Sequence, residues 1–116
     1  MSGRAGRDVL TGGDGSDRLV GGADGDTLSG GAGGDVFVFE KLNGNDVVTD
    51  FQNGIDKIDI QAFGIDPASF ASAVAPFFTT VPGGVLLDLS GLGATSGQVT
   101  FLGLALGDID VTDFVF

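Results

Sequence analysis

Apolar residues recur at intervals of nine along the first third of the chain, and each lies two positions after an aspartate. The apolar positions are Leu10, Leu19, Leu28 and Phe37, and the aspartates are Asp8, Asp17, Asp26 and Asp35. The three residues centred on each apolar position predict a short strand whose middle side chain points inward. The six residues before each strand are rich in glycine, which predicts a turn with positive φ angles.

This period predicts a coil of two strands and two turns, so that two consecutive repeats complete one coil. Successive coils then stack about 4.8 Å apart, which places Asp8 above Asp26 on one edge and Asp17 above Asp35 on the other. An imperfect fifth loop over residues 43–46 places Asp46 beneath Asp26. We therefore expect a parallel β-roll with a column of aspartates along each edge.

The chain changes character near residue 38, because 12 of the 22 glycines precede that point and nine of the ten phenylalanines follow it. Short apolar runs predict further strands, which continue the roll and then build a β-rich cap. Their predicted ranges are 36–40, 47–51, 57–60, 77–81, 85–89, 98–102 and 114–116. The fourth and fifth form a hairpin around Pro82-Gly83-Gly84.

Two helical segments are predicted between these strands. The first is a short helix over residues 64–74, with Asp66 as its N-cap and Pro67 at its first position. The second is a turn or short helix over 107–113. We divide the all-β chain into a roll (residues 1–60) and a cap (residues 61–116), which closes the open end of the roll.

Composition excludes several classes of function. The chain has no Cys, His, Trp or Tyr, so thiolate sites, His-ligated zinc and Ser-His-Asp triads are ruled out. A formal net charge of −11 argues against nucleic acid as a partner. No apolar run is long enough for a membrane span, and no apolar segment follows Met1 as a cleaved export signal would require.

The aspartate columns carry the candidate chemistry. Two carboxylates about 5 Å apart repel each other by about 3 kcal/mol at an effective dielectric of 20, and each coil offers few apolar side chains in return. A divalent cation between stacked loops turns this repulsion between carboxylates into a net attraction. Carboxylates and turn carbonyls form an all-oxygen cage, which favours Ca²⁺ over Mg²⁺.

The candidate ligands are therefore aspartate side chains and the carbonyl groups of loop glycines. The carboxylates are those of Asp8, Asp17, Asp24, Asp26, Asp35 and Asp46, and the carbonyls are those of Gly13, Gly15, Gly22, Gly31 and Gly33. Asp24, like Asp14, fits a solvent-facing loop position better than a ligating one. For Asp50, Asp56 and Asp59 two interpretations stay open, a further ion or capping of strand ends. Five loops predict about three calcium ions or more.

The four loops follow the pattern G-G-x-G-x-D-x-U-x, which resembles that of the RTX, or hemolysin-type calcium-binding, repeat family. Two positions depart from it, since Arg4 and Asp24 stand where the pattern has glycine. The stretches Asp35-Val-Phe-Val-Phe-Glu40, Asp46-Val-Val-Thr-Asp-Phe51 and Gly54-Ile-Asp-Lys-Ile-Asp-Ile60 are similar to the C-terminal module of serralysin-type proteases. Similar modules end secreted lipases and mannuronan C5-epimerases.

The resemblance implies a right-handed parallel β-roll that holds calcium between its turns. It also implies secretion by a type I system, in which an ABC transporter reads an uncleaved C-terminal signal; here residues 110–116 are similar to such a signal. The chain is then a non-catalytic, extracellular module that folds on calcium binding and stabilises a preceding catalytic domain.

Two other functions compete with this one. The first is binding of an anionic, alginate-like polysaccharide by the five cationic side chains, which the strong net negative charge disfavours. The second is catalysis by Asp56 and Asp59 as paired carboxylates, which no surrounding residue pattern supports. The isolated chain is expected to have no enzymatic activity.

Overall fold

The computed structural model describes residues 8–21, 25–39, 42–52, 55–69, 75–88, 96–104, 106–109 and 111–116. These residues form ten strands and contain no α-helix. The strands are β1 (Val9–Thr11), β2 (Arg18–Val20), β3 (Thr27–Ser29), β4 (Val36–Val38), β5 (Leu42–Val48), β6 (Lys57–Asp59), β7 (Phe78–Val81), β8 (Gly84–Asp88), β9 (Ser96–Leu102) and β10 (Phe114–Val115). No helix within these ranges is both long and apolar enough to cross a membrane.

The first six strands form the predicted parallel β-roll. Strand β1 pairs in parallel with β3, with Val9 opposite Thr27, and β2 pairs in parallel with β4, with Arg18 opposite Val36. In both pairs the partner residues are separated along the sequence by two periods of the repeat, as predicted. Later coils are slightly longer than two periods, because β3 pairs with β5 and β4 with β6 at wider spacings along the chain.

The chain alternates between two sheets. One has the strand order β1-β3-β5-β9-β8-β7, and the other has the order β10-β6-β4-β2. The middle residue of each short strand faces the space between them: Leu19, Leu28 and Phe37 are fully buried, and Leu10 is 8% exposed. One inward side chain per strand is a thin core, so the roll gains little hydrophobic stabilisation per coil.

The second half of the chain extends both sheets. Strand β9 pairs in parallel with β5 and antiparallel with β8, which forms the predicted hairpin with β7. Strand β10 adds in parallel to β6. Hydrogen-bonded pairing therefore crosses residue 60 in both sheets. The division into a roll and a cap stays a prediction about sequence organisation.

Two predicted elements differ from the structure. In place of the start of the helix over 64–74 there is a 3₁₀ helix at Pro67–Ser69, while residues 70–74 lie outside the described part. Asp66 still caps it, since the amide of Ala68 donates to Asp66 Oδ1 at 2.9 Å. Strand β5 begins at Leu42 rather than 47, because β9 offers a pairing partner that the local pattern does not reveal.

The remaining 3₁₀ helices of the described part lie at turns. They span Gln61–Phe63, Ala75–Phe77, Leu106–Asp108 and Val111–Asp113. The last two occupy the region for which a turn or short helix was predicted. A turn around Gly83, whose φ of 87° suits glycine, joins β7 to β8.

Aromatic rings join the roll to the later strands. The ring of Phe101 on β9 lies 6.1 Å from that of Phe39 and 5.6 Å from that of Phe51, both edge-on. Phe51 in turn lies 6.1 Å from Phe37. Phe101 thus packs the later part of the chain onto the last coil of the roll, where aromatic pairs add to the area that they bury.

We expect Phe101→Ala to lower the free energy of unfolding by about 3–5 kcal/mol, because it leaves a cavity in this aromatic cluster. Leu102→Ala is the control, since Leu102 faces outward and is 37% exposed. Urea unfolding at saturating calcium measures both. Equal losses for the two variants would contradict the role given to Phe101.

Candidate metal centre

Each column of aspartates is linked by hydrogen bonds between coils. On one edge the amide of Asp8 donates to Asp26 Oδ1 at 2.9 Å, and the amide of Asp26 donates to Asp46 Oδ1 at 2.8 Å. On the other edge the amide of Asp17 donates to Asp35 Oδ1, and that of Asp35 to Asp56 Oδ1, both at 2.9 Å. We call these the Asp26 column and the Asp35 column.

The second carboxylate oxygens behave differently from the first. Oδ2 of Asp17, Asp35 and Asp46 is buried and accepts no hydrogen bond. Buried polar atoms in native proteins nearly always have a partner, and an unpaired buried carboxylate oxygen carries a large desolvation cost. These three orphaned oxygens therefore indicate a ligand of positive charge.

The second oxygens also turn back over the first glycine of their own loops. A methyl group built on Gly12 would lie 2.6 Å from Asp17 Oδ2, and one on Gly30 would collide with Asp35 Oδ2. Gly21 has the same relation to Asp26 Oδ2, at 2.8 Å. Glycine is required at these positions because any side chain would fill the space that the carboxylate oxygen occupies.

Stacked loops bring carbonyl oxygens close to one another's backbone. A methyl group on Gly31 would lie 2.5 Å from the carbonyl oxygen of Gly13, and one on Gly33 would lie 2.5 Å from that of Gly15. The carbonyls of Gly13 and Gly15 thus face the loop of the next coil, which ends at Asp35. This placement suits their predicted role as ligands.

The other predicted ligands are less well defined by the structure. Asp8 and Asp26 lie together in the Asp26 column and line a surface groove with Asn45. Gly22 and Asp24 lie outside the described residues. No three carboxylates within the described ranges converge on one point, so an ion held there needs carbonyl oxygens as well. Such a mixed set of hard oxygen donors suits Ca²⁺.

Burial and mutual repulsion both resist ionisation in the two columns. Burial, and then the neighbouring carboxylate of Asp26, raise the pKa of Asp46 to about 7. Burial is also the main cause that raises the pKa of Asp35, with Asp56, Asp17 and Asp50 adding to it. Charged forms of these groups are therefore disfavoured until a cation compensates them.

Two further aspartates cap the backbone. Asp50 accepts hydrogen bonds from Ser29 Oγ and from the amides of Gly30 and Gly31, each at 2.9 Å. Asp59 accepts from the amide of Gln61 at 2.9 Å. These contacts correspond to the capping alternative that the sequence left open for them.

Asp56 is the column member that sequence reasoning did not place. Its Oδ1 holds the amide of Asp35, as in the other coils, but its Oδ2 accepts from the amide of Gln52 at 2.8 Å. Both carboxylate oxygens of Asp56 therefore accept a hydrogen bond, whereas the Oδ2 atoms of Asp17 and Asp35 do not. The sequence does contain a signal for this role, because Asp56 directly precedes the predicted strand at 57–60 as Asp35 precedes the one at 36–40. The nine-residue period does not reveal it, because the spacing between Asp35 and Asp56 exceeds two periods of the repeat.

Comparisons with known proteins agree with this site. Residues 2–37 match the family model of the RTX calcium-binding nonapeptide repeat, in four copies. The solution structure of the AlgE6R3 subunit from the Azotobacter vinelandii mannuronan C5-epimerase matches at a TM-score of 0.50 and 22% identity, covering 95% of this chain and 78% of that one. No curated protein matches.

These findings confirm the predicted RTX repeats and the β-roll. The family match covers the loops that end at Asp8, Asp17, Asp26 and Asp35. The structural likeness, at this identity, extends the shared fold over most of the chain. The segment is thus a set of calcium-binding repeats.

The raised pKa of Asp46 predicts that the calcium-free fold weakens as pH rises. The folded state holds this proton more tightly than the unfolded chain, whose carboxyls have a pKa of about 3.9. Stability from this group is therefore complete below about pH 4 and lost as pH rises through about 7. After exhaustive removal of calcium, circular dichroism at pH 4.5 and pH 7.5 should show the smaller fraction of β-structured chain at pH 7.5.

Asp46→Asn should reduce this pH dependence, because it removes the ionising group. Saturating calcium should reverse the dependence in the unmodified chain, since the ion favours the charged carboxylates. Equal fractions of β-structured chain at both pH values without calcium would contradict the raised pKa.

The close approach of stacked loops predicts different costs for two matched glycine substitutions. Gly15 and Gly33 have φ angles of 89° and 93°, so alanine is similarly strained at each. A methyl group on Gly15 meets open space, whereas one on Gly33 meets the Gly15 carbonyl at 2.5 Å. Gly33→Ala should therefore destabilise the protein by about 1–3 kcal/mol more than Gly15→Ala. Urea unfolding at saturating calcium is the measurement, and equal effects would show that the loops do not stack this closely.

Proposed function

We propose that these RTX repeats and their cap form a non-catalytic module of a larger extracellular protein, which folds when it meets calcium outside the cell. The observation that carries this proposal is the set of buried, unpartnered Oδ2 atoms of Asp17, Asp35 and Asp46. Without a cation these atoms oppose folding, and with one they become ligands. Calcium binding then supplies part of the folding free energy.

The thin core of the roll supports the same proposal. Each short strand contributes one inward apolar side chain, worth about 1.5–3 kcal/mol. Ordering a glycine-rich loop costs more backbone entropy than ordering other sequences. The two effects nearly cancel, so the charge balance in the columns decides whether the roll forms. Extracellular modules bind calcium in the millimolar range or somewhat tighter.

The proposal includes export, because folding of the module depends on calcium binding in the aspartate columns. In a cytosol with little calcium the module stays unfolded and can pass through a type I secretion channel. Residues 110–116 are the segment that the ABC transporter reads, and the folded module then stabilises a catalytic domain that precedes it in the parent protein. The acidic and apolar composition of this segment supports that role.

The described cations favour this function over recognition of an anionic polysaccharide. Arg18 lies 3.5 Å from the carboxylate of Asp59, and the ammonium group of Lys57 donates to the carbonyl of Thr112. Both charges are thus engaged within the chain. The similar structure comes from an epimerase, so the polysaccharide hypothesis is worth a direct test. We expect no heat of binding when the calcium-loaded chain is titrated with alginate oligosaccharides in a calorimeter.

Calcium should convert the chain from largely unfolded to β-structured, as followed by circular dichroism during titration from a chelator. Asp17→Asn should raise the calcium concentration at the midpoint about tenfold or more, equivalent to ~1.4 kcal/mol. Asp14→Asn is the matched control, because Asp14 lies in the same loop and is exposed. Identical spectra with and without calcium would refute the proposed function.

Equal shifts for the two variants would show that only net charge matters, and not the orphaned oxygen. Magnesium provides a second control. It prefers a tight octahedron and keeps its waters, so it should induce far less structure than calcium at equal concentration.

A further inference from the structure

We infer that Asp50 is a positioning residue for calcium, because its carboxylate holds the peptide group that joins Gly30 to Gly31. Through this peptide, Asp50 directs the carbonyl of Gly30 towards the unpartnered Oδ2 atom of Asp17. It thereby determines which divalent ion the gap between these two loops prefers, without being a ligand itself. This inference rests on the proposed function, since it concerns the calcium that folds the module.

Asp50 begins the third loop on its edge of the roll, where the first two loops begin with Gly12 and Gly30. In those two loops, the aspartate that ends the loop places its Oδ2 atom where a side chain of the first residue would lie. In the third loop, Asp56 Oδ2 accepts the amide of Gln52 instead. Position 50 can therefore carry a side chain.

The Asp50 carboxylate binds the two amides at the start of the second loop. The amide of Gly30 donates to Oδ1 and the amide of Gly31 donates to Oδ2, both at 2.9 Å. Ser29 Oγ also donates to Oδ2 at 2.9 Å. Hydrogen bonds to a charged acceptor are stronger than those between neutral groups. The carboxylate thus fixes the direction of both N–H groups.

The planarity of the peptide group transmits this constraint to the carbonyl of Gly30. The N–H of Gly31 and the C=O of Gly30 belong to one trans peptide, so they point in opposite directions. The N–H points at Asp50 in the third loop, and the C=O points at the first loop. A methyl group built on Gly12 would lie 2.8 Å from this carbonyl oxygen and 2.6 Å from Asp17 Oδ2. The two oxygens therefore face the same small space.

Neither of these two oxygens accepts a hydrogen bond from the residues that the structure describes. Gly30 is buried, as is Asp17 Oδ2, and buried oxygens nearly always have a partner. Both are hard donors that suit calcium. A cation at the Gly30 carbonyl also makes the N–H of Gly31 a stronger donor to Asp50, because the two groups share one polarisable peptide. The hydrogen bond and the ion therefore strengthen each other.

A carbonyl held in a fixed direction gives the gap between the loops a defined size. Selectivity between divalent ions depends on the size and flexibility of their oxygen cage. Strontium has the same charge as calcium and is larger, so it measures this size. The informative quantity is the strontium concentration at the folding midpoint divided by the calcium concentration at the midpoint. A change that only weakens the fold raises both midpoints by the same factor and leaves this ratio unchanged.

The test titrates the full chain with calcium and, separately, with strontium, and follows folding by circular dichroism. Asp50→Asn keeps an acceptor oxygen but removes the charge. We expect it to raise the calcium midpoint about threefold or more, and to lower the strontium-to-calcium ratio at least about twofold, because the Gly30 carbonyl is held less firmly.

Two matched controls remove one charge each. Asp59→Asn removes a capping carboxylate, which accepts the amide of Gln61 outside these loops. It should raise both midpoints by the same factor. Asp14→Asn removes an exposed charge from the first loop. Neither control should change the ratio.

The outcomes separate this inference from the proposed function. A lower ratio for Asp50→Asn alone supports the inference. If Asp50→Asn raises both midpoints by one factor, Asp50 is only a backbone cap, so the inference is overturned and the proposed function stands. If calcium does not fold the unmodified chain, the proposed function itself fails.

A second measurement on the unmodified chain decides the matter if Asp50→Asn does not fold with either ion. Amide spectra are recorded by ¹H–¹⁵N NMR at saturating calcium and at saturating strontium. The Gly31 signal should differ between the two ions, because its N–H shares a peptide group with the Gly30 carbonyl. The signal of Thr79, on the exposed side of β7, is the control and should not move. A Gly31 signal at the same position with both ions would overturn the inference.

Discussion

Repulsion between stacked aspartates is the constraint on which the rest of this structure depends. A parallel coil with a fixed repeat must place equivalent residues above one another about 4.8 Å apart. In this chain those residues include Asp17 and Asp35. Asp35 accepts the amide of Asp17 with its Oδ1 atom, while the Oδ2 atoms of both residues stay buried without a partner. The geometry that builds the roll thus creates its charge problem, and a cation resolves it.

Glycine makes this arrangement possible for a steric reason as well as a conformational one. The carbonyls of Gly13 and Gly15 approach the loop below so closely that Gly31 and Gly33 could not carry a side chain without displacing backbone. A methyl group built on Gly12 would meet both Asp17 Oδ2 and the carbonyl oxygen of Gly30, so the stacking of loops also brings a carbonyl oxygen near a carboxylate. Close packing of loops and construction of an oxygen cage are therefore one structural requirement.

The two columns end in different ways. Asp56 closes one column by accepting the amide of Gln52 within its own loop. In the other column, Val99 of β9 lies opposite Asp46, where the next coil would place an aspartate, and Val99 is fully buried. Repetition stops where a carboxylate satisfies itself or an apolar residue replaces it, and the rings around Phe101 then cover the end of the roll.

The sequence by itself determined the repeat, the two columns and the hard oxygen donors. The reason is that a nine-residue period fixes the register between stacked strands, and each repeat adopts the same geometry. The sequence also determined the hairpin of β7 and β8, whose turn is local. Only the tertiary structure decided that Asp56 belongs to a column, that β9 pairs with β5, and that β10 docks on β6. These contacts join residues far apart in the chain without a period, so long-range packing alone selects them.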